Sequence, residues 1–360
     1  MKRIILCLFT CFGLACHAED TLELYQATVS VPDRTLMSKE AGIDQAFAKV
    51  IIKLTGNSGV MQWPQLYPFL TDPSALMDAV GYSDLSQQDE TAAPAIGLAV
   101  SFDQQLVDRL IRQAQLPILP SNRPRLLVWV ITDDINYGRR FINEPVSQQG
   151  LLDDYAPQLM SALDDAMQDR GIPYLLPIYD LEDQISLPVN QAWSLNTDLI
   201  ASAAQRYQAD GWFVIRLYTA SSGEIRGAWA YENLGKRQLN DFRGSEIRPA
   251  IKSAVDDILD GILEAFTYLP QLDTNQLLVQ VKGISSLDNY QTVLEFFKNL
   301  QMVDSVQLFS VEGEQLVLTM DVQGRVDRLH SDLLRSGKLR SEISEDQRSI
   351  GRLTYRWIGQ

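Results

Sequence analysis

Cysteine is absent from this sequence beyond residue 16, and histidine is nearly absent throughout. The three cysteines are Cys7, Cys11 and Cys16, and the two histidines are His17 and His330. Zinc, copper, iron and haem sites are built mainly from these two residue types. One histidine and no cysteine beyond residue 17 therefore exclude such centres from the folded chain, together with a cysteine nucleophile.

Motifs that bind nucleotides or form a nucleophile elbow are also missing. The sequence has no glycine-rich phosphate loop, no dinucleotide fingerprint and no G-x-S-x-G motif. After the amino-terminal segment, no apolar run approaches the roughly 18 residues that a membrane helix needs, so we expect no transmembrane segment in the mature chain. These absences favour a function in binding over the common cofactor-dependent chemistries.

The amino terminus has the pattern of a secretory signal peptide. Two basic residues precede an almost wholly apolar stretch at 4–15, and small and polar residues follow it. We expect cleavage after Ala18 and a periplasmic mature protein, held together by its hydrophobic core because no disulfide can form. The alternative is a lipoprotein anchored through Cys16, although Gly13 stands where a lipobox has a large aliphatic residue.

The charge balance is acidic. The formal net charge is −15, and cleavage would remove Lys2 and Arg3, which takes it to −17 (−15 minus two positive charges). A surface of this sign repels nucleic-acid phosphates and anionic lipid headgroups. We therefore expect no nucleic acid among the partners.

Hydrophobic periodicity divides the chain into a signal peptide and three modules. The signal peptide covers residues 1–18, an amino-terminal α+β domain 19–120, a central α/β domain 121–270 and a carboxyl-terminal domain 271–360. Each module is predicted to be a small mixed sheet with helices packed on it. The predicted fold class is therefore α/β and α+β, with several modules.

Two long stretches are predicted to lack regular structure. One covers residues 57–94, which contain four prolines and a polar run. The other is the loop between the strand at 126–131, which is apolar enough to be buried on both faces, and the next helix. Ser38 is the predicted N-cap of the first helix.

The carboxyl-terminal module has the element order β-α-β-β-α, followed by a last strand near 353–358. This is the split βαβ or ferredoxin-like pattern. Residues 338–352 are polar and charged and are predicted to form a mobile connection. Leu353, Tyr355 and Trp357 alternate with polar residues, as in a half-buried strand. We expect this strand to pair within the module, with Trp357 against its core.

Several stretches resemble a proteobacterial family catalogued as domain of unknown function 2066. They are YQATVSVPD (25–33), QAFAKVIIKLTGN (45–57), NRPRLLVWVITDD (122–134), RGIPYLLPIYDLEDQ (170–184) and QRYQADGWFVIRL (205–217). The resemblance covers most of residues 22–300. It implies no activity and no catalytic residues, although the acidic DLED stretch is part of the family pattern.

The central module is also distantly similar to the small α/β domain at the amino terminus of TolB and to that of the curli secretion channel. The similarity lies in the order of strands and helices up to ADGWFVIRL (209–217) and the hairpin that follows. Those domains are parts of envelope assemblies, so the resemblance implies a role in assembly rather than catalysis.

Three carboxylates, Asp180, Glu182 and Asp183, follow a predicted strand at 174–178. One interpretation is that Asp180 caps a short helical turn while Glu182 and Asp183 face water. A calcium site would need six or more oxygen ligands, and the D-x-D-x-D-G spacing is missing. A glycosidase would need two carboxylates about 5 to 10 Å apart across a cleft, one of them with a raised pKa.

One aromatic residue and one histidine complete the candidates. Trp193 lies in a predicted loop at 188–195, whereas the tryptophans of the predicted strands are expected in the core or in cross-strand pairs. His330 lies beside the apolar face of a predicted helix, near Val326 and Leu334, and we expect a structural role for it.

These observations together predict a periplasmic binding or assembly factor of the cell envelope, with no cofactor, no metal and no catalytic residue. The expected polar contact site consists of Asp180, Glu182, Asp183 and Trp193. Its partner would be an envelope protein or peptidoglycan. One alternative is a carboxylate-dependent hydrolase of cell-wall glycan, and another is a sensor of a small ligand or a divalent cation.

Overall fold

Among the residues that the structure describes, three β-sheets with helices packed on them make up a mixed α/β, multi-module fold, as the sequence predicts. The computed structural model describes residues 23–70, 72–84, 96–135, 137–143, 155–233, 235–270, 275–323, 325–342 and 352–359. The predicted signal peptide, including Cys16 and His17, lies outside the described residues. Among the helices that the structure describes, none is long and apolar enough to cross a membrane.

The first sheet is antiparallel, with strand order β1-β3-β2. A long helix, α1, buries one face against it, and α2 follows the last strand, capped by Asp103 as predicted from its sequence context. The elements are β1 (Gln26–Val31), α1 (Leu36–Thr55), β2 (Met77–Asp84), β3 (Ile96–Phe102) and α2 (Gln104–Gln113).

Two predictions for this module are wrong. The N-cap of α1 is Thr35, whose hydroxyl accepts the backbone N–H of Ser38 at 3.3 Å, so the helix begins one turn earlier than expected. Residues 57–94 contain β2 after three short 3-10 turns. As an edge strand whose described side chains are exposed or half-buried, β2 shows no apolar alternation that could have revealed it.

The second sheet is mixed and has six strands. Its order is β5-β4-β7-β8-β9, and β6 also pairs with β4; β4 runs parallel to β6 and β7, whereas β5, β8 and β9 join through antiparallel pairs. The strands are β4 (Leu126–Asp134), β5 (Gly138–Phe141), β6 (Tyr174–Leu175), β7 (Gly211–Thr219), β8 (Ile225–Asn233) and β9 (Lys236–Gly244).

Helices cover both faces of this sheet, which explains the continuous apolar sequence of β4. Alternate residues of β4 pack against α3 and α7 on one face and against α5 and α6 on the other. The helices are α3 (Tyr155–Arg170), α4 (Leu181–Ser186), α5 (Val189–Trp193), α6 (Thr197–Ala204) and α7 (Ile247–Leu263). The strand β5 lies where a loop was predicted. The sequence analysis missed it because only Phe141 of its four residues is buried.

The third sheet has strand order β11-β12-β10-β14-β13. Its first three strands are antiparallel, with α8 and α9 placed as in a split βαβ unit. The elements are β10 (Asn275–Lys282), α8 (Leu287–Lys298), β11 (Val303–Glu312), β12 (Gln315–Val322), α9 (Val326–Arg335), β13 (Leu339–Ser341) and β14 (Arg352–Trp357).

The last strand returns to this sheet, which confirms that prediction. β14 pairs in parallel with β10, and the Trp357 ring, 6% exposed, packs 5.7 Å from that of Phe296. The sheet varies the ferredoxin-like pattern, since β14 lies between β10 and β13 and displaces β13 to the edge. Part of the predicted mobile connection is thus the strand β13, while residues 343–351 lie outside the described residues.

Two arginines, one of them fully buried, join neighbouring modules. Arg170, 1% exposed, donates to the Gly56 carbonyl at 2.8 Å and pairs with Asp256 at 2.8 Å and Asp260 at 2.6 Å. Arg335 joins the third sheet to the central module through Asp210 at 3.0 Å. The domain boundaries at residues 120 and 270 stay predictions, because the sheets do not show where a module ends.

Candidate functional site

The acidic stretch forms a tight elbow after β6. Tyr179 has a φ of 58°, in the left-handed region that few non-glycine residues adopt, and there the chain turns into α4. Asp180 is the N-cap of α4, since its carboxylate accepts the backbone N–H of Asp183 at 3.1 Å. The prediction that Asp180 caps a short helical turn is therefore confirmed.

A single guanidinium lies against all three carboxylates. Arg206, in the 3-10 turn after α6, donates to Asp180 through both terminal nitrogens, one of them at 2.6 Å, and to Asp183 at 2.9 Å. Its Nε lies 3.7 Å from a carboxylate oxygen of Glu182, whose side chain is 72% exposed. Sequence reasoning missed Arg206, because no local pattern links it to an acidic stretch more than twenty residues earlier.

The prediction that Asp183 faces water is wrong, because its side chain is only 1% exposed. One carboxylate oxygen accepts the Tyr179 backbone N–H at 2.8 Å and the Tyr207 hydroxyl, and the other accepts Arg206. The Tyr207 ring in turn meets the edge of the buried Trp129 ring, 6.4 Å away. The turn at Tyr179 thus directs the first turn of α4 into the core, which explains the error.

The electrostatics of the elbow favour the ionised form of Asp180. Hydrogen bonds from Arg206 hold the pKa of the Asp180 carboxyl far below its usual range, and the same contact raises the pKa of Arg206. Burial, together with the hydrogen bond to Asp183, raises the pKa of Tyr207 to about 12. A general acid needs its pKa near the working pH. The pKa of Asp180 is shifted away from that range, so the arrangement stabilises a turn and does not prepare Asp180 as a proton donor.

Trp193 lies in a separate place, near the carboxyl ends of β4 and β7. The guanidinium carbons of Arg139 and Arg216 lie 4.9 and 5.4 Å from its ring centroid, and Arg216 also donates to the Trp193 carbonyl at 2.6 Å. The ring of Tyr218 is 6.4 Å away. The contacts of the Trp193 ring and carbonyl are thus with residues of β5 and β7, whereas Asp180, Glu182 and Asp183 meet at Arg206, so the predicted contact site divides into two.

A cleft of about 800 Å³ opens beside Trp193. Aromatic rings, arginines and acids all line it, among them Trp193, Arg216, Tyr218, Arg226, Asp241, Arg243 and Asp257. The sequence of β7 contained one signal for this cleft. Near the end of the strand, polar residues stand at alternate positions and interrupt the apolar sequence. The cross-strand arginines of β8 and β9 could be added only once the strand register was known.

A second cleft, of about 880 Å³, lies between the first turns of α3 and α7 and the turn from β7 to β8. Its arginine, Arg248, is already engaged, since it pairs with Asp165 and approaches the Ser161 hydroxyl at 3.4 Å. The cleft beside Trp193 is therefore the better candidate, because two of its arginines have no acidic partner among the described residues.

His330 has a structural contact. Its Nδ1 lies 2.8 Å from the Tyr355 hydroxyl, and the two rings are 5.7 Å apart. This contact joins α9 to β14. Over the part of the chain that the structure describes, no three His, Cys, Asp or Glu side chains are grouped as a metal site requires.

Comparison with known proteins gives one family and weak structural similarities. The family described as Domain of unknown function (DUF8605) matches residues 18–120. No curated protein matches the chain. Among solved structures, the competence or damage-inducible protein from Enterobacter asburiae is 16% identical, with 40% of this chain and 87% of that chain covered and a TM-score of 0.23.

A second solved structure, of an uncharacterized protein, is 10% identical, with 40% of this chain and 91% of that chain covered and a TM-score of 0.17. At these scores neither similarity carries an argument about fold or function. The matched family differs from the one that the sequence resembles, and neither brings an activity. The resemblances to domain of unknown function 2066, TolB and the curli secretion channel stay predictions. Over residues 18–120, in its first module, the chain is similar to a domain of unknown function.

Proposed function

We propose that this protein is a non-enzymatic binding factor of the bacterial cell envelope and that a partner docks at the Trp193 cleft. The observation that carries the proposal is the cation–π arrangement of Trp193 with Arg139 and Arg216 beside the cleft. It lies near the carboxyl ends of parallel strands, where open α/β sheets commonly bind their ligands. Aromatic residues and arginines are also the residue types most enriched in the energetic centres of protein interfaces.

The state of the acidic elbow supports binding over hydrolysis. A glycosidase needs one carboxyl with a raised pKa and a second carboxylate across an open cleft. Here Arg206 lowers the pKa of Asp180, and Asp183 is buried with three donors. Asp180 and Asp183 stabilise the turn through these contacts. They are therefore poor candidates for the catalytic carboxylates that the hydrolase alternative needs.

The placement in the envelope rests on the sequence pattern of residues 1–18. Cell fractionation and intact-mass measurement test it together. A mature chain that begins at Glu19 in the periplasmic fraction supports the proposal. A chain that keeps its first 18 residues in the cytoplasm would contradict it, and a diacylated Cys16 would move the protein to a membrane leaflet.

Docking at the cleft is tested by photo-crosslinking in the source cells. A photoreactive phenylalanine analogue replaces Tyr218, which lines the cleft and is 38% exposed. The matched control replaces Tyr67 in the first module, which is 55% exposed. An adduct with an envelope component from position 218 and not from position 67 supports the proposal. Equal labelling from both positions, or none from position 218, contradicts it.

The hydrolase alternative has its own test. Purified protein is incubated with peptidoglycan, and soluble fragments are measured. We expect none. Release of fragments by the natural protein and not by an Asp180→Asn, Glu182→Gln double variant would establish the alternative.

A further inference from the structure

We infer that the outer edge of β11 binds an extended segment of a partner protein, which adds a strand to the third sheet and carries apolar side chains with at least one lysine or arginine. This surface shares no lining residue with the Trp193 cleft, so the inference goes beyond the proposed function. It follows from an open strand edge, the exposed apolar side chains along it, an apolar groove beside it and the unpaired carboxylates at its end.

The edge of β11 is open along most of its length. Within the described residues, β11 pairs only with β12 and forms one border of the third sheet. The backbone groups of residues 305–312 that point away from β12 form no hydrogen bond with a described residue. A row of unpaired N–H and C=O groups is a template for a further strand, and strand addition is a recurring mode of peptide recognition.

The sequence of β11 lacks the charges that usually protect such an edge. The edge strand β9 of the second sheet has this protection, since it carries a lysine, three further charged residues and no long apolar run. In β11, residues 307–311 (QLFSV) carry no charge. Leu308, Phe309 and Val311 are 46%, 69% and 57% exposed. An unprotected edge with three exposed apolar side chains is typical of a binding surface.

An irregularity in the strand register turns Leu308 and Val311 to the same face of the sheet. Leu308 stands opposite Leu318 and Val311 opposite Leu316, two buried residues at alternate positions of β12. Residues three apart in a regular strand point to opposite faces, but the register shifts between Leu308 and Ser310. The apolar face of the core therefore continues to the open edge.

A groove of about 400 Å³ lies between this face and the first turn of α8. Its side chains are mostly apolar, and they include Ile284, Leu287 and Tyr290 beside Leu308 and Val311. Leu287 is 69% exposed. Alternate side chains of a strand added beside β11 would project onto this face of the sheet, so the groove can receive an apolar side chain of the partner.

The charges around the groove favour a basic partner. Glu312 ends β11, Glu314 lies in the turn to β12, and Asp288 lies in the first turn of α8. All three residues are exposed and next in sequence to a residue that lines the groove, and none has an ion pair with a described residue. Complementary charge steers association and selects the partner. A lysine or arginine on the added strand would pair with these carboxylates.

A second copy of this chain does not supply that charge. β11 contains no lysine or arginine, so pairing of two copies through this strand would leave Glu312 and Glu314 of both copies without a cation from the added strand. The net charge of −15 on each copy adds repulsion. These charges favour a different protein as the occupant of the edge.

The probe is a synthetic peptide of alternating valine and threonine, as long as β11, with a lysine at each end. One control peptide has glutamates in place of the lysines. Another has N-methyl groups on all valine and threonine amides, which removes the N–H donors that a strand needs. Fluorescence anisotropy with the full mature chain measures each dissociation constant, and hydrogen exchange locates the site. We expect the lysine peptide to bind most tightly and to slow exchange within residues 305–312.

Val311→Lys and Glu312→Lys test the surface, and Leu239→Lys is the matched control. Leu239 is 60% exposed on the edge strand β9. We expect Val311→Lys to weaken binding of the lysine peptide roughly tenfold, because an apolar contact is lost and the new charge repels the peptide. Glu312→Lys should reduce the preference for lysine over glutamate. It keeps the test valid if Val311→Lys disturbs the hairpin, since the exposed Glu312 side chain has no partner to lose.

Tighter binding of the lysine peptide, with slowed exchange at 305–312 and losses in both β11 variants but not in Leu239→Lys, supports the inference. Equal binding of either control peptide, protection only elsewhere in the chain, or no binding of any peptide overturns it. A dimer in sedimentation equilibrium that Val311→Lys dissociates also overturns it and assigns the edge to a second copy. The adduct from position 218 tests the Trp193 cleft separately, so either proposal can fail without the other.

Discussion

Arg206 donates to the carboxylate of Asp183 at 2.9 Å, and Asp183 is almost completely removed from water. The same guanidinium holds Asp180 at the start of α4, so that one residue from the 3-10 turn after α6 fixes the whole acidic elbow. A buried carboxylate is tolerable only with such partners. The cluster that first suggests chemistry is thus a structural joint of the central module.

Asp183→Asn should destabilise the protein by about 1–3 kcal/mol, because an amide nitrogen must then face an N–H or hydroxyl donor in a buried site. The exposed Glu182→Gln serves as control and should change the stability by less than about 0.5 kcal/mol. Urea unfolding of both variants measures the difference. Equal stability of the two variants would show that Asp183 is not held as the geometry indicates.

Arg170→Met should cost about 3–5 kcal/mol, because it leaves two partly buried aspartates without their shared cation and removes the bond to the first module. Lys252→Met is matched to it, since Lys252 pairs with the same Asp256 at 2.7 Å but is 51% exposed. That surface pair is worth about 0–1 kcal/mol. Thermal unfolding compares the two, and a similar loss in both variants would contradict a joining role for Arg170.

Arg123→Met should stabilise the protein. Arg123 is 5% exposed, and its three guanidinium nitrogens have no hydrogen-bond partner among the described residues. Burial lowers the pKa of Arg123 to about 9, which reflects the cost of a buried cation. Replacing a buried charge with an apolar side chain of similar volume commonly gains about 1–4 kcal/mol. A lower melting temperature for Arg123→Met would instead reveal a counter-ion that the buried cation needs.

Asp332 should make stability depend on pH between about pH 4 and pH 6. Burial raises its pKa to about 6, against the charges of Arg335 and Arg328, and Asp210 adds to the rise. The unfolded chain ionises first, near the ordinary value of about 3.9. The stability that Asp332 contributes is therefore present below pH 4 and lost as the pH rises through 6.

Asp332→Asn removes this dependence. The melting temperature of the variant minus that of the natural protein should become more positive from pH 4 to pH 7. Conversion of the shift gives a change on the order of 1–3 kcal/mol. A difference that stays constant across this range would show that the Asp332 carboxyl titrates normally in the folded protein.

The sequence predicted the elements whose side chains form a regular buried pattern. Helical spacing identified α1, α3 and α7, continuous apolar runs identified β4 and β7, and period-two alternation placed Trp357 in the third core. The strands that it missed, β2, β5 and β13, lie at sheet edges and have few buried side chains. An edge strand has no hydrophobic signal of its own, since only its backbone pairing defines it.

The sequence predicted only part of the candidate site, because local contacts can be predicted from sequence and contacts between distant elements cannot. Asp180 could be predicted as a cap because capping is local, over three residues. The burial of Asp183, the contacts of Arg206 and the position of Arg243 in the cleft depend on which elements meet in space. Charge partners on different strands or helices leave no periodic pattern in one sequence, so they required the structure.

The most direct test of the account compares photo-crosslinking from position 218 in the natural sequence and in a Trp193→Ala background. Trp193 positions Arg216 through its ring and its carbonyl and lines the cleft beside Tyr218. The account predicts a defined envelope adduct in the natural background that is lost or strongly reduced by Trp193→Ala, at unchanged protein level. An adduct of equal yield in both backgrounds, or no adduct in either, would contradict binding at the Trp193 cleft.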